Sequence, residues 1–223
     1  ATPARGSAPS RHVTAGGGDP TPLPRRASVI AAPPIPALAL TGIGSWPRPR
    51  WMVDAMHQHV QGRLDEQAFQ DTADDAVRLV VSAQQRARVD LLTDGEQRRD
   101  SYASFVATRL ENCQLVPLTD LLPLVDDPEA FAAELRALDV PASEVRHPGV
   151  FGRLRRSRPI AVHELDFLRK LGATPAKVAL PGPYLLTRTM WMECIADNVY
   201  ASREAIAEDI VRVLREELID LLD

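Results

Sequence analysis

From Ala37 to the end of the chain, short apolar runs of strand length alternate with stretches of helical periodicity. That order argues for parallel strands covered by helices. Two of the strand-like runs lead into unusually small, polar and charged segments. Ala37–Ile43 runs into Thr41-Gly-Ile-Gly-Ser-Trp46, and Val89–Leu92 into Leu92-Thr-Asp-Gly-Glu-Gln-Arg-Arg-Asp-Ser101. In such folds the carboxyl ends of parallel strands carry the active site.

The spacing predicts helices over Trp51–Val60 and Leu64–Arg88. In the second, Phe69, Ala73, Ala76, Val77, Val80 and Val81 recur at intervals of three and four and mark one buried face. A helix is expected near Tyr102–Asn112, strands at Leu115–Leu118 and Val150–Leu154, and a helix at Pro128–Leu138 between them. Val162–Leu171 reads as helix, Val178–Leu180 as a buried strand and Leu185–Glu193 as a short helix. Ser202 caps a last helix whose stripe is Ile206, Ile210, Val213, Leu214, Leu218 and Leu221. This helix reaches Asp223 with no Gly or Pro to stop it, so the sequence looks cut off. About four strand–helix units fit where a closed (β/α)8 barrel takes about 250 residues. The expected fold is therefore α/β, an incomplete TIM-type barrel of about the first half. A complete doubly wound sheet is the alternative.

Residues 1–36 are rich in Pro, Gly, Ala and Arg, lack an apolar period, and are expected to be a disordered leader; residues 37–223 form the folded domain. A formal charge of −4 gives no reason to expect nucleic acid or an anionic membrane as partner. No run approaches the roughly 18 apolar residues of a membrane span. Two distant cysteines, Cys113 and Cys194, suggest a reducing compartment, so a cytoplasmic setting is expected, with both thiols buried.

Read residue by residue, Gly42-Ile-Gly44 lacks the third glycine of a dinucleotide loop, with Pro47 in its place, and fits a tight strand-to-helix turn. Glu96 sits among Asp94, Arg98, Arg99 and Asp100, either as one of several structural ion pairs or as a strand-end carboxylate in a site. Asp94 could cap its own turn. Arg153, Arg155, Arg156 and Arg158 form a basic run in an acidic chain, most simply a solvated face. His57 and His59 are two apart on a helix and cannot readily share a metal; they read as surface residues. His163 opens a helix without the second His of a zinc-protease motif.

Together with Lys177-Val-Ala-Leu-Pro-Gly-Pro-Tyr184 and Trp191, the two strand-end segments resemble the catalytic domain of cobalamin-independent methionine synthase, from a barrel superfamily that includes uroporphyrinogen decarboxylase. The resemblance runs from about Leu38 to Asp223. It implies methyl transfer from 5-methyltetrahydrofolate to a homocysteine thiolate held on zinc. It also implies substrate-binding roles for the Ile43-Gly44-Ser45 turn, for Glu96 as the carboxylate that holds the substrate ammonium group, and for Trp191 against the pterin. No catalytic residue and no metal ligand is assigned here. The His-x-Cys pair, acidic residue and later Cys that bind zinc in the family come from the second barrel half. On this reading the chain alone is inactive and needs a second chain or a carboxyl-terminal half to complete it. A related zinc-dependent thiol alkyltransferase, or a non-catalytic split or truncated half, are the alternatives. The arginine run could then attract an anionic folate tail.

Overall fold

The computed structural model describes residues 35–101, 104–125, 127–136, 146–192 and 195–223. The leader expected over 1–36 lies almost wholly outside them, as does Cys194.

Helix α1 (Arg50–Val60) follows Pro49, whose extended backbone starts it, and buries Met52 and Ala55. Helix α2 (Glu66–Arg86) opens on Asp65, whose carboxylate accepts the amide of Ala68 at 2.8 Å. Its buried face is the one read from the sequence: Phe69, Ala73, Ala76, Val77, Val80 and Val81. One side of it packs on Met52 of α1, and Val77 and Val81 join Leu92 and Leu168 in a second cluster.

Strands β1 (Leu110–Pro117) and β2 (Arg146–Arg156) pair antiparallel, with helix α3 (Pro128–Arg136) between them in sequence. Helix α4 (Val162–Lys170) supplies Leu168 to the cluster under α2. Helices α5 (Pro183–Met190) and α6 (Arg203–Leu222) cover the β1–β2 ribbon, joining Leu110, Val150 and Leu154 to Leu186, Met190, Ile206, Ile210 and Val213 in the largest core cluster. The Ser202 hydroxyl accepts the Ala205 amide and caps α6 as expected. Among the described residues no helix is long and apolar enough to cross a membrane.

The chain is α/β, but several expected elements differ. The helix expected near Tyr102–Asn112 is a 3-10 turn, Ser104–Arg109, running into β1. The buried Leu110 and Cys113 are three apart because the ladder shifts register between Glu111 and Cys113, where Asn112 takes a φ of 59°. The runs at Ala37–Ile43, Val89–Leu92 and Val178–Leu180 are not full strands. Isolated parallel bridges join Thr41 to Leu91, and Leu92 to Ala176, just before the third run. In the first run Leu38 has a φ of 60° and lies fully exposed beside exposed Leu40 and Ile43, so extended backbone there has little to pack on. The only sheet among the described residues is the two-stranded antiparallel one.

In the arginine run Arg153, Arg155 and Arg158 are exposed as expected, but two of the four also hold carboxylates of α6. Arg156 reaches Glu217 at 2.7 Å and Asp220 at 2.5 Å on α6, and Arg153 bonds Asp209 at 3.0 Å and lies over the Tyr200 ring. These two clamp β2 to the last helix. His59, expected at the surface, stacks on Phe69 with ring centroids 4.5 Å apart and its Nδ1 3.0 Å from the Leu64 carbonyl, tying α1 to α2.

Candidate active site at the ends of neighbouring parallel segments

Leu40 accepts the amides of Asp90 and Leu91, and Leu92 lies between Pro175 and Lys177, donating to the first and accepting from the second. The three segments therefore run side by side in one direction, and the turns that follow them emerge at the same end. Lys177 confirms the closeness: its ammonium reaches across to the Gly42 carbonyl at 2.5 Å.

The second turn is held rigidly from behind. Buried Gln84 of α2 makes a two-point contact with the Thr93 backbone, 3.0 Å to its amide and 2.7 Å to its carbonyl, as a neighbouring strand would. Asp94 Oδ1 accepts the Glu96 amide at 2.9 Å, closing an Asx turn. Gly95 and Glu96 both take positive φ, 66° and 54°. For Glu96 this conformation costs of order 1 kcal/mol and needs such support. The turns join where the Trp46 amide donates to the Gly95 carbonyl at 3.0 Å. Arg48 donates to the carbonyls of Glu96, Gln97 and Arg99.

Gly95 has no room for a side chain. A Cβ there would lie 2.8 Å from Val80 Cγ1 and 3.1 Å from Trp46 Cβ. Gly95→Ala combines this clash with a left-handed backbone and is expected to cost about 2–4 kcal/mol in a urea titration. An unchanged midpoint would show that the turn relaxes freely.

Glu96 is 5% exposed, and its Oε2 accepts the Ser45 hydroxyl at 2.9 Å. Ile43, Gly44 and Ser45 are exposed, Gly44 has a φ of 74°, and nothing lies within 4 Å of where its Cβ would be. A recessed carboxylate thus sits beneath an open turn. Trp191 sits elsewhere in the fold. It closes α5, packs on the cluster formed by β1, β2, α5 and α6, and has a buried Nε1 without a partner. The structure joins the turn that carries Ile43, Gly44 and Ser45 to Glu96 through the Ser45 hydroxyl, and packs Trp191 on the core under α5 and α6.

Behind Glu96 the loop is anchored by a buried ion pair. Arg99 and Glu164 of α4, each 2% exposed, meet through Nε–Oε1 at 3.1 Å and Nη2–Oε2 at 2.5 Å. Burial, reinforced by the Asp94 charge, pushes the Glu164 carboxyl up to about 7 against the pull of Arg99.

Residues 38–118 match the family described as cobalamin-independent synthase, catalytic domain. Methionine synthase of Sulfolobus acidocaldarius is 28% identical over 190 residues, and that of Sulfurisphaera tokodaii 29%; each alignment takes in 85% of this chain and 49% of the relative. A B12-independent methionine synthase from Shewanella sp. W3-18-1, solved in complex with selenomethionine, superposes with a TM-score of 0.55 at 25% identity, over 80% of this chain and 46% of that one. The chain is thus similar to methionine synthases. A putative methionine synthase of Listeria monocytogenes shares the fold with a TM-score of 0.57 at 15% identity, over 82% of this chain and 48% of that one. The chain spans about half the length of the curated relatives it matches.

The methionine synthase resemblance implies zinc, and the donors described here do not fit it. Among the described residues no group of three His, Cys, Asp or Glu side chains is gathered as a metal site would need. Cys113 lies in the β1 core, where burial pushes its thiol up to about 12, the reverse of a metal-binding thiolate.

Gln84, Arg48 and Lys177 had no role assigned from the sequence. Lys177 lay inside a segment that carried the methionine synthase resemblance. For Gln84 the signal was a polar residue next to the apolar stripe of α2. Arg48 offered no signal, because its partners are all backbone carbonyls.

Proposed function

We propose that this chain forms the amino-acid-binding part of a methionine-synthase-like methyltransferase, on an incomplete barrel whose remaining strands come from sequence beyond it or from a second chain. The observation that carries the reading is the 2.9 Å bond between Ser45 and Glu96, which joins turns at the same end of adjacent parallel segments. The Glu96 carboxylate accepts the ammonium group of homocysteine. The exposed Gly44–Ser45 turn lets the ligand carboxylate approach backbone N–H groups closely. The relative from Shewanella, solved with selenomethionine, supports an amino acid of this shape and size.

On this reading the chain binds and orients homocysteine, and the zinc of the family and much of the 5-methyltetrahydrofolate site lie in the part of the relatives that it does not span. Trp191 would face the pterin only once that part is in place. Calorimetry of L-homocysteine against this chain and its Glu96→Gln variant tests the proposal. A lost charge-assisted hydrogen bond is worth about 1.5–3 kcal/mol, so the variant is expected to bind roughly tenfold or more weakly. Equal affinities would refute it.

A further inference from the structure

A cavity of about 320 Å³ lies between α1, the start of α2, the loop after Leu92 and the start of α4, and neither Ser45 nor Glu96 lines it. Arg98, Arg99, Arg109, Arg146 and Arg158 do, together with His163. Three of these side chains bring buried nitrogens with no partner among the described residues: Nη1 of Arg98, Nη1 of Arg99 and Nδ1 of His163. The Arg98 and Arg99 side chains are only 5% and 2% exposed.

The third nitrogen is a donor as well. His163 Nε2 sits 3.2 Å from Nη2 of Arg109, and a guanidinium can only donate. Nε2 therefore accepts, and the ring proton is on Nδ1. Three N–H groups from two separate elements thus go without an acceptor at one cavity, although buried polar groups are normally paired.

Charge points the same way. Arg98 is paired with Asp74, and Arg99 with Glu164. Among the described residues Arg109 bonds the imidazole and Arg158 the Thr108 carbonyl at 3.4 Å. Among the described residues none of Arg109, Arg146 and Arg158 meets a carboxylate in an ion pair. The five arginines outnumber the acidic lining residues, which are Asp100, Glu66 (3.4 Å from His59) and Glu164 (held by Arg99). Burial, then the arginines around it, drive His163 down to about 3, so the wall gains no further charge at neutral pH. Apolar side chains also line it, Met56, Phe69, Phe105 and Leu115, with the Arg99 guanidinium lying over the Phe105 ring.

We propose that this cavity binds an oxyanion group carried on a compact apolar body, such as an aryl or alkyl phosphate. The guanidinium groups fork onto the oxygens, the orphaned N–H groups find acceptors, and the apolar lining residues contact the rest of the ligand. This goes beyond the homocysteine reading and does not depend on it.

Calorimetry at constant ionic strength, with phenyl phosphate, inorganic phosphate and phenol as probes, tests it on the full chain. Phenyl phosphate is expected to bind one to one, with phenol at least about tenfold weaker. Inorganic phosphate should compete: weaker binding assigns the site to an organic anion, and equal binding to the free ion, both within an oxyanion site. Arg158→Gln and Arg146→Gln, both at exposed residues, remove charges that no ion pair among the described residues uses. Each is expected to weaken phenyl phosphate by about tenfold while leaving homocysteine binding and the urea midpoint unchanged. If phenyl phosphate binds no better than phenol, or if both variants bind it like the parent chain, the proposal is wrong. Broadening of the phosphorus resonance of phenyl phosphate by the parent chain, absent with the double variant, gives a readout independent of heat.

Discussion

Glu217→Ala is expected to destabilise the fold by about 3–5 kcal/mol, the range for breaking a buried charge network by removing one partner. Glu217 is fully buried on α6. Its Oε1 accepts the Ala161 amide at 2.7 Å, and its Oε2 accepts the Ile160 amide at 2.8 Å and Arg156 at 2.7 Å. A carboxylate here satisfies the N–H groups at the start of α4 and suits the positive end of that helix. Without it, two amides lose their acceptors and Arg156 keeps only its outer partners on α6. Urea titration followed by far-UV circular dichroism measures the loss. A change below about 1 kcal/mol, the size of one ordinary hydrogen bond, would mean that water replaces the carboxylate.

Glu164→Ala is expected to cost a similar amount, about 3–5 kcal/mol, because it leaves the Arg99 guanidinium buried beside an empty space. The double substitution Arg99→Met with Glu164→Leu should recover most of that loss, since it removes both charges and fills the volume. A double variant no more stable than the single one would show that Arg99 is needed for more than its pairing. Homocysteine affinity should fall in the single variant, because Arg99 fixes the loop that presents Glu96.

The helices were legible because each carries its own signal: a cap at Asp65 or Ser202, and a stripe at spacings of three and four. Both strands of the ribbon were legible as the runs Leu115–Leu118 and Val150–Leu154, but not their full length or their antiparallel pairing, which joins residues far apart in sequence. The short parallel segments were placed correctly relative to one another but overestimated in length, since apolar content alone does not say what a strand packs on. Leu38, Leu40 and Ile43 are apolar and exposed.

At the site, the pairing of the Ile43-Gly44-Ser45 turn with Glu96 followed from reading both as strand-end turns. The supports did not, because Gln84, Arg48 and Lys177 act on backbone atoms that no motif records. The arginine run shows the limit of reading charge in one dimension. Arg153 and Arg156 meet carboxylates more than fifty residues away, whereas Arg158 lines a cavity and meets none in an ion pair among the described residues.

The central claim is that Glu96 receives the ammonium group of an amino-acid substrate. It is tested most directly by comparing L-homocysteine with 4-mercaptobutanoate, the same molecule without its amine, on the parent chain and on Glu96→Gln by calorimetry. Loss of the amine should weaken binding to the parent chain by about tenfold or more and leave the variant's affinity nearly unchanged. A penalty of the same size in both proteins, or none in the parent, would contradict it.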